Sequence, residues 1–153
     1  MSRKIGIGAA TGLIAGVLFG VLMEFLPAPV PIGGRISMIV FAARAVHAQS
    51  ALVGWLAYVV YGLIIGGIFG WLVHDQTLEE ARSIVWGGVY GVGWWILAGL
   101  VLVPALRGAI PFSPSAVDAI HPVALALLMG HVLYGVVLGA GVPLIAERLG
   151  RPA

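Results

Sequence analysis

His131 is the ionisable residue that the sequence places deepest inside a long apolar segment. It lies nine residues after Pro122, where the apolar segment 122–146 begins. A helix rises about 1.5 Å per residue, so the imidazole would lie about 13 Å into a hydrocarbon core about 30 Å thick. An ionisable side chain at that depth is energetically costly, and we therefore treat His131 as a candidate functional residue.

Tyr58 is the expected partner of His131. Segments 51–73 and 122–146 match at an offset of 73 (131 minus 58), which aligns Tyr58 with His131 and Tyr61 with Tyr134. We expect a neutral His131 and Tyr58 to form a hydrogen bond across the bundle, directly or through water. Such a pair would either be structural, since polar contacts commonly hold membrane helices together, or would handle a proton or a ligand. Tyr61, Tyr134 and the mid-span Trp95 complete this candidate site, with Trp95 either filling space or forming the wall of an apolar ligand pocket.

A second set of polar residues lies at the membrane face opposite the chain termini. It comprises Glu24, Arg35, Arg44, His47, Arg107, Asp118 and His121. Interface anchoring and ion pairing of loops explain such residues, and a polar mouth leading to Tyr58 and His131 is the alternative. Two of them, His47 and His121, could form a metal or haem site, but no ligand spacing such as His-x-x-x-His supports one. His131 lacks the second intramembrane histidine of a b-type haem, so we expect no metal and no cofactor.

The composition indicates that lipid surrounds the protein. Of 153 residues, 61% are hydrophobic and 9% are charged, whereas soluble domains carry about 25% charged residues. A soluble chain of this length could not hide so much apolar surface. The absence of cysteine excludes disulfides and thiol catalysis, and the net charge of +2 is not clustered as nucleic-acid binding would require.

Hydrophobic segments predict an all-α membrane protein with a single integral membrane domain covering residues 1–153. We expect transmembrane helices at about 5–26, 51–73, 84–106 and 122–146, with short interfacial helices in the outer loops, one at 36–48 and one starting at Ser113-Pro114. Residues 27–34 are expected to form an extended loop, and Thr77 with Glu80 has the spacing of a capping box.

The charge distribution predicts the orientation. Four spans place both termini on one side, together with Arg3, Lys4, Arg82, Arg148 and Arg151, against Arg35, Arg44 and Arg107 on the other. The positive-inside rule then favours cytoplasmic termini in a prokaryotic inner membrane.

Glycine spacing predicts an internal repeat. Residues 5–73 and 84–146 resemble two copies of one helical hairpin, and an offset of 79 aligns Gly8, Gly12 and Gly20 with Gly87, Gly91 and Gly99. Residues four apart share a helix face, and such ridges let membrane helices approach closely. The predicted packing glycines are Gly8, Gly12, Gly16, Gly20, Gly62, Gly66, Gly70, Gly87, Gly91, Gly99, Gly135 and Gly139. These ridges would join helices of one chain, or copies in a homo-oligomer.

Several of these runs carry a resemblance to a known family. They are GLIAGV at 12–17, WGGVYG at 86–91 followed by LVP at 102–104, and GHVLYG at 130–135. Together they resemble the YagU-like bacterial inner-membrane proteins and related small families of unknown function. The resemblance implies a four-helix membrane protein with a histidine in its last helix, and it implies no established substrate.

The sequence contains no nucleophile–base pair, carboxylate dyad, phosphate-binding loop or metalloprotease helix, so we expect no enzymatic activity. The expected function is that of an accessory or oligomeric membrane component that packs against copies of itself or a partner protein. A small transporter or channel with a polar site at Tyr58 and His131 is one alternative. A redox accessory subunit that binds haem or quinone is the other.

Overall fold

The structure is a computed structural model that describes residues 2–29, 34–73 and 80–150, most of which are helical. Four helices in it are long and apolar enough to cross a membrane: Arg3–Phe25, Ala51–Leu72, Ala81–Leu106 and Pro114–Leu149. The expectation of four long apolar helices is thereby confirmed. Their outward faces carry large apolar side chains, among them Leu56, Val60, Ile64, Val85 and Val89, which a water-soluble protein would not expose together.

The helices are α1 (Ser2–Phe25), α2 (Met38–Ala45), α3 (Ala51–Leu72), α4 (Glu80–Leu97), α5 (Val103–Leu106), α6 (Pro114–Ile120) and α7 (Ala124–Gly150). A π-helical segment, Ala98–Leu102, joins α4 to α5, and a 3-10 turn, His121–Val123, joins α6 to α7. The short helix expected from Ser113-Pro114 is α6, and the last long helix, expected from 122, is α7 from Ala124. Ser113 caps α6 as expected, because its hydroxyl accepts a hydrogen bond from the Ala116 amide at 3.3 Å.

The connection between α1 and α2 contains a short ribbon that the all-α expectation missed. Strands β1 (Pro27–Pro29) and β2 (Arg35–Ser37) pair antiparallel, with Ala28 opposite Ile36. Because residues 35–37 belong to the ribbon, α2 starts at Met38, after its N-cap Ser37, and not at 36. The capping box expected at Thr77 lies outside the described residues.

Two seams of glycine hold the long helices in pairs. Along α1 and α3, a Cβ at Gly8 would meet the carbonyl oxygen of Gly66, and a Cβ at Gly12 would meet that of Gly62. Along α4 and α7, a Cβ at Gly87 would meet the carbonyl oxygen of Gly135. Gly16, Gly70, Gly91 and Gly139 also face backbone atoms of the partner helix. Only glycine permits these backbone contacts, which supply van der Waals attraction between helices in lipid.

Gly20 and Gly99 do not belong to these seams. A Cβ at Gly20 would meet the Trp55 ring, and one at Gly99 would meet the Ile120 side chain. The offset of 79 for the first and third helices is also wrong by one helical turn. The contact of Gly12 with the Gly62 carbonyl corresponds to the contact of Gly87 with the Gly135 carbonyl. The contacts therefore align the first helix with the third at an offset of 75 residues (87 minus 12).

The other helix contacts are less close. Helix α1 also packs against α7, whereas α3 and α4 make few close backbone approaches. Aromatic side chains bridge part of that space: the Tyr61 and Trp94 rings lie 6.0 Å apart, and Phe69 and Tyr90 lie 5.1 Å apart. The Tyr90 hydroxyl donates a 2.6 Å hydrogen bond to the carbonyl oxygen of Ile65 and so ties α4 to α3.

Pro104 accounts for the π-helical segment. Proline has no amide proton, so it cannot close the helical hydrogen bond to the carbonyl oxygen of Leu100. That oxygen instead accepts a 3.0 Å hydrogen bond from the Phe112 amide in the following loop. Such π-segments are often found at functional sites.

A methyl group added to a seam glycine should destabilise the fold. We expect Gly87→Ala to lower the free energy of unfolding by about 1–3 kcal/mol, because the new Cβ forces two backbones apart. Gly93→Ala on the same helix is the matched control, since a Cβ there has nothing within 4 Å. Unfolding in mixed micelles measures both. Equal losses in the two variants would contradict the seam.

Candidate functional site

His131 is buried, with 5% of its surface exposed, and both of its ring nitrogens have partners. Nδ1 lies 2.8 Å from the carbonyl oxygen of Leu127, one turn earlier in α7. A carbonyl oxygen can only accept, so Nδ1 carries the proton and donates it. In the neutral ring, Nε2 then accepts a hydrogen bond from the Tyr61 hydroxyl at 3.2 Å. These two bonds fix both the tautomer and the orientation of the imidazole.

The predicted direct bond between His131 and Tyr58 is wrong. The Phe19 ring of α1 packs edge-on against both side chains, with centroids 4.9 Å from the Tyr58 ring and 4.9 Å from the His131 ring. Tyr61 lies one helical turn further along α3, and its hydroxyl reaches His131 instead. The hydrogen bond that sequence reasoning assigned to Tyr58 therefore belongs to its neighbour on the same helix.

Tyr134 has a structural contact of its own. It is almost fully buried, and its hydroxyl donates a 2.6 Å hydrogen bond to the carbonyl oxygen of Gly62. This bond links α7 to α3 at the level of the α1–α3 seam, because the same hydroxyl lies beside Gly12. Tyr134 thus lies near the Tyr61–His131 pair without bonding to it.

A cavity of about 200 Å³ adjoins the Tyr61–His131 pair. It occupies the space between α3 and the π-helical segment and is bounded by α2 and α6. The lining includes the rings of Phe19, Phe41, Tyr58, Tyr61, Trp95 and His131, together with Ala42, Ala98, Leu102, Leu106 and Arg107. Nearly all of the lining atoms are apolar. We call this space the α3–π cavity.

Trp95 forms part of the cavity wall, as one of its two sequence-based interpretations proposed. Its indole nitrogen donates a 3.1 Å hydrogen bond to the carbonyl oxygen of Ala124, at the start of α7. The bond holds the ring between α4 and α7 and leaves it beside the cavity.

The Tyr58 hydroxyl lies at this cavity without a hydrogen-bond partner among the described residues. Tyr58 is only 8% exposed and lines the cavity together with Tyr61. The other three tyrosines, Tyr61, Tyr90 and Tyr134, each bond to a histidine or to a carbonyl oxygen. Because no fully buried side-chain nitrogen or oxygen in the described ranges lacks a partner, the Tyr58 hydroxyl keeps some accessible surface, and the side chain that carries it lines the cavity.

The outer polar residues do not form the predicted mouth as a group. Of the seven, Glu24, Arg35, His47, Arg107, Asp118 and His121 are exposed and Arg44 is half-buried. Only Arg107 lines the cavity, and within residues 2–29, 34–73 and 80–150 no ion pair joins any of the seven. In the same ranges, no group of three histidine and acidic residues is placed to hold a metal ion, so His47 and His121 are not brought together with Glu24 or Asp118.

Sequence reasoning missed three contributors to this site. Phe19 separates Tyr58 from His131, yet its only sequence signal is that of an ordinary apolar residue in a span. The π-helical segment was signalled by Pro104 within the third span, since proline interrupts helical hydrogen bonding. Helix α2 supplies Phe41 and Ala42, and nothing in its composition indicates that it covers a cavity.

Comparison of the chain with family models, with curated proteins and with solved structures found no match. The resemblance to the YagU-like proteins therefore stays a prediction, and the functional argument depends on the geometry of the site.

Double-mutant cycles should distinguish the two tyrosines. We expect Tyr61→Phe and His131→Phe to show a coupling energy of about 0.6 kcal/mol, and no more than about 1.7 kcal/mol, because this is the range for hydrogen bonds between membrane helices. Tyr58→Phe with His131→Phe should show a coupling near zero. Free energies of unfolding in mixed micelles provide the measurement. A larger coupling for Tyr58 than for Tyr61 would overturn the assignment of the hydrogen bond.

Proposed function

We propose that this chain is a non-enzymatic, multi-pass protein of a prokaryotic inner membrane that binds a small apolar molecule in the α3–π cavity and serves as an accessory component there. The cavity itself is the observation that carries the proposal. It has a volume of about 200 Å³ and an aromatic and apolar lining, and it adjoins an oriented His131–Tyr61 pair. Ligand sites are typically apolar pockets with a few fixed polar groups.

The state of His131 supports binding over catalysis. A general base needs a free lone pair directed at the substrate. In the neutral ring, the Nε2 lone pair accepts from Tyr61, and Nδ1 donates to the backbone. The same two bonds argue against axial ligation of a haem, since a metal would have to displace one of them. The apolar lining likewise disfavours an ion pathway, because a charged solute would lose its hydration without replacement.

The glycine seams bear on the proposed partners. Both seams are used between helices of one chain, so a homo-oligomer or a partner complex would have to form through other surfaces. In this proposal the seams serve to build the bundle, as two similar hairpins, α1 with α3 and α4 with α7. The short helices α2 and α6 then lie at the membrane face opposite the chain termini, where they cover the cavity.

Saturable quenching of Trp95 should test binding. Bromobenzene that is dissolved in the lipid of nanodiscs should quench tryptophan fluorescence with a saturable component, because the cavity wall contains Trp95. Trp95→Phe and the cavity-filling Ala98→Phe should both lose that component. Trp71 and Trp86, which are 50% and 55% exposed, should keep a linear component that reports collisions in the lipid.

Trp86→Phe is the control for this assay, since it removes an exposed indole and leaves the cavity intact. The proposal fails if the wild-type protein shows linear quenching alone, or if Ala98→Phe retains the saturable component while remaining folded.

Cysteine labelling should test the proposed orientation. The chain contains no cysteine, so single cysteines at the exposed positions Ala81 and Ser115 give a clean matched pair. With cytoplasmic termini, Ser115→Cys should react with a membrane-impermeant maleimide in cells whose inner membrane is intact, and Ala81→Cys should react only after permeabilisation. The reverse pattern would place the termini on the opposite side.

A further inference from the structure

We infer that the α3–π cavity takes the ring of a membrane-soluble quinone, with the Tyr58 hydroxyl donating a hydrogen bond to one of the ring carbonyl oxygens. The inference rests on the proposed function and names the ligand class of the same site. Four properties of the cavity lead to it: its volume, its aromatic wall, the Tyr58 hydroxyl as a neutral donor and its lack of buried charge.

The volume limits the ligand to about one ring. An apolar protein cavity of about 150 Å³ holds a benzene molecule. The α3–π cavity, at about 200 Å³, accommodates a six-membered ring with a few small substituents. A fused four-ring lipid would not fit, and a long tail would have to extend out of the cavity into the surrounding lipid.

The aromatic wall favours a planar ring. Phe19, Tyr58, Tyr61 and Trp95 place four aromatic side chains around the same space. Aromatic rings are held best by stacked or edge-on contacts with other rings. Trp95 is fixed in position by its bond to Ala124, so its ring is already oriented before a ligand enters.

The available donor determines which polar group the ligand carries. Tyr61 directs its proton to His131, whereas the Tyr58 hydroxyl has no partner among the described residues. No fully buried side-chain nitrogen or oxygen among the described residues lacks a partner, so the Tyr58 hydroxyl keeps accessible surface and can donate to a ligand that carries an acceptor. A carbonyl oxygen is such an acceptor. Unlike a hydroxyl, it has no proton of its own, so Tyr58 must be the donor in the hydrogen bond.

The distribution of charge requires that the ring be neutral. Arg107 is the one charged side chain of the lining, and it is exposed. The rest of the lining consists of tyrosines, a neutral histidine whose two nitrogens are both hydrogen-bonded, and apolar groups. An anionic or cationic ring there would lose hydration without a counter-charge. A benzoquinone ring has the required size, planarity, carbonyl acceptors and neutrality together.

The test compares two probes that share a flat six-membered ring and a tail, and of which only one carries carbonyl acceptors. One is a benzoquinone with a decyl tail, and the other is decylbenzene, which has the same tail and no carbonyl. Each is titrated into nanodiscs that contain the full chain, and affinity is taken by fitting the unfolding temperature against the mole fraction of the probe with the linkage relation, in which stabilisation grows as RT ln(1 + [L]/Kd). We expect the wild-type protein to prefer the quinone by about 3- to 10-fold, which corresponds to one hydrogen bond.

Tyr58→Phe should abolish this preference by weakening the quinone about 3- to 10-fold and leaving decylbenzene unchanged. Tyr134→Phe is the matched control, because that hydroxyl bonds to Gly62 and does not line the cavity. It should retain the preference. If Tyr58→Phe does not fold, the ratio of the two affinities in the wild-type protein still decides the question.

The possible failures are distinguishable. Equal binding of both probes to the wild-type protein would overturn the quinone assignment and leave apolar binding intact. A preference that survives Tyr58→Phe would overturn the role of Tyr58 and with it this inference. Binding of neither probe, together with the absence of saturable bromobenzene quenching, would overturn the proposed function as well.

Discussion

Close backbone contact at glycine is the constraint on which this structure depends. In lipid, apolar side chains gain nothing by leaving the solvent, so helices associate through packing and hydrogen bonds. The pairs α1–α3 and α4–α7 meet this requirement by removing side chains altogether: Gly12 lies on the Gly62 carbonyl and Gly87 on that of Gly135. Each seam fixes the relative height and rotation of its two helices. The hydrogen bonds from Tyr61 to His131 and from Tyr134 to the Gly62 carbonyl oxygen then join the two pairs, because each runs between α3 and α7.

The cavity lies outside the two seams. The seams pair α1 with α3 and α4 with α7, whereas α3 and α4 make few close backbone approaches to each other. Part of the space between them is filled by Tyr61, Phe69, Tyr90 and Trp94. After Trp94 and Trp95 the chain enters the π-helical segment, which lines the space with the small residues Ala98 and Gly99. The space there stays open as the α3–π cavity.

The extent to which the sequence predicted this structure depends on the physical range of each signal. Span length and glycine spacing act within one helix, and they predicted four spans and most of the seam residues. The expected offset of 79 between the first and third helices differs from the offset of their contacts by four residues, or one helical turn. Glycines that recur every four residues align equally well when one helix is shifted by four residues against the other. The choice of Tyr61 over Tyr58 depends on where Phe19 of another helix packs, which no local pattern encodes. The α1–α2 ribbon depends on pairing between residues 27–29 and 35–37, and the loop composition did not specify it.

The two polar side chains at the centre have acquired opposite roles for a geometric reason. His131 belongs to α7, whose Leu127 carbonyl lies one turn earlier, and the Tyr61 hydroxyl is within reach across the bundle, so both nitrogens are saturated. Tyr58 lies one turn from Tyr61 on the same helix, but Phe19 occupies the side through which it would reach α7. The Tyr58 side chain lines the cavity, and its hydroxyl has no hydrogen-bond partner among the described residues. In the function that we propose, the ionisable His131 is therefore part of the scaffold, and the neutral Tyr58 is the group that binds the ligand.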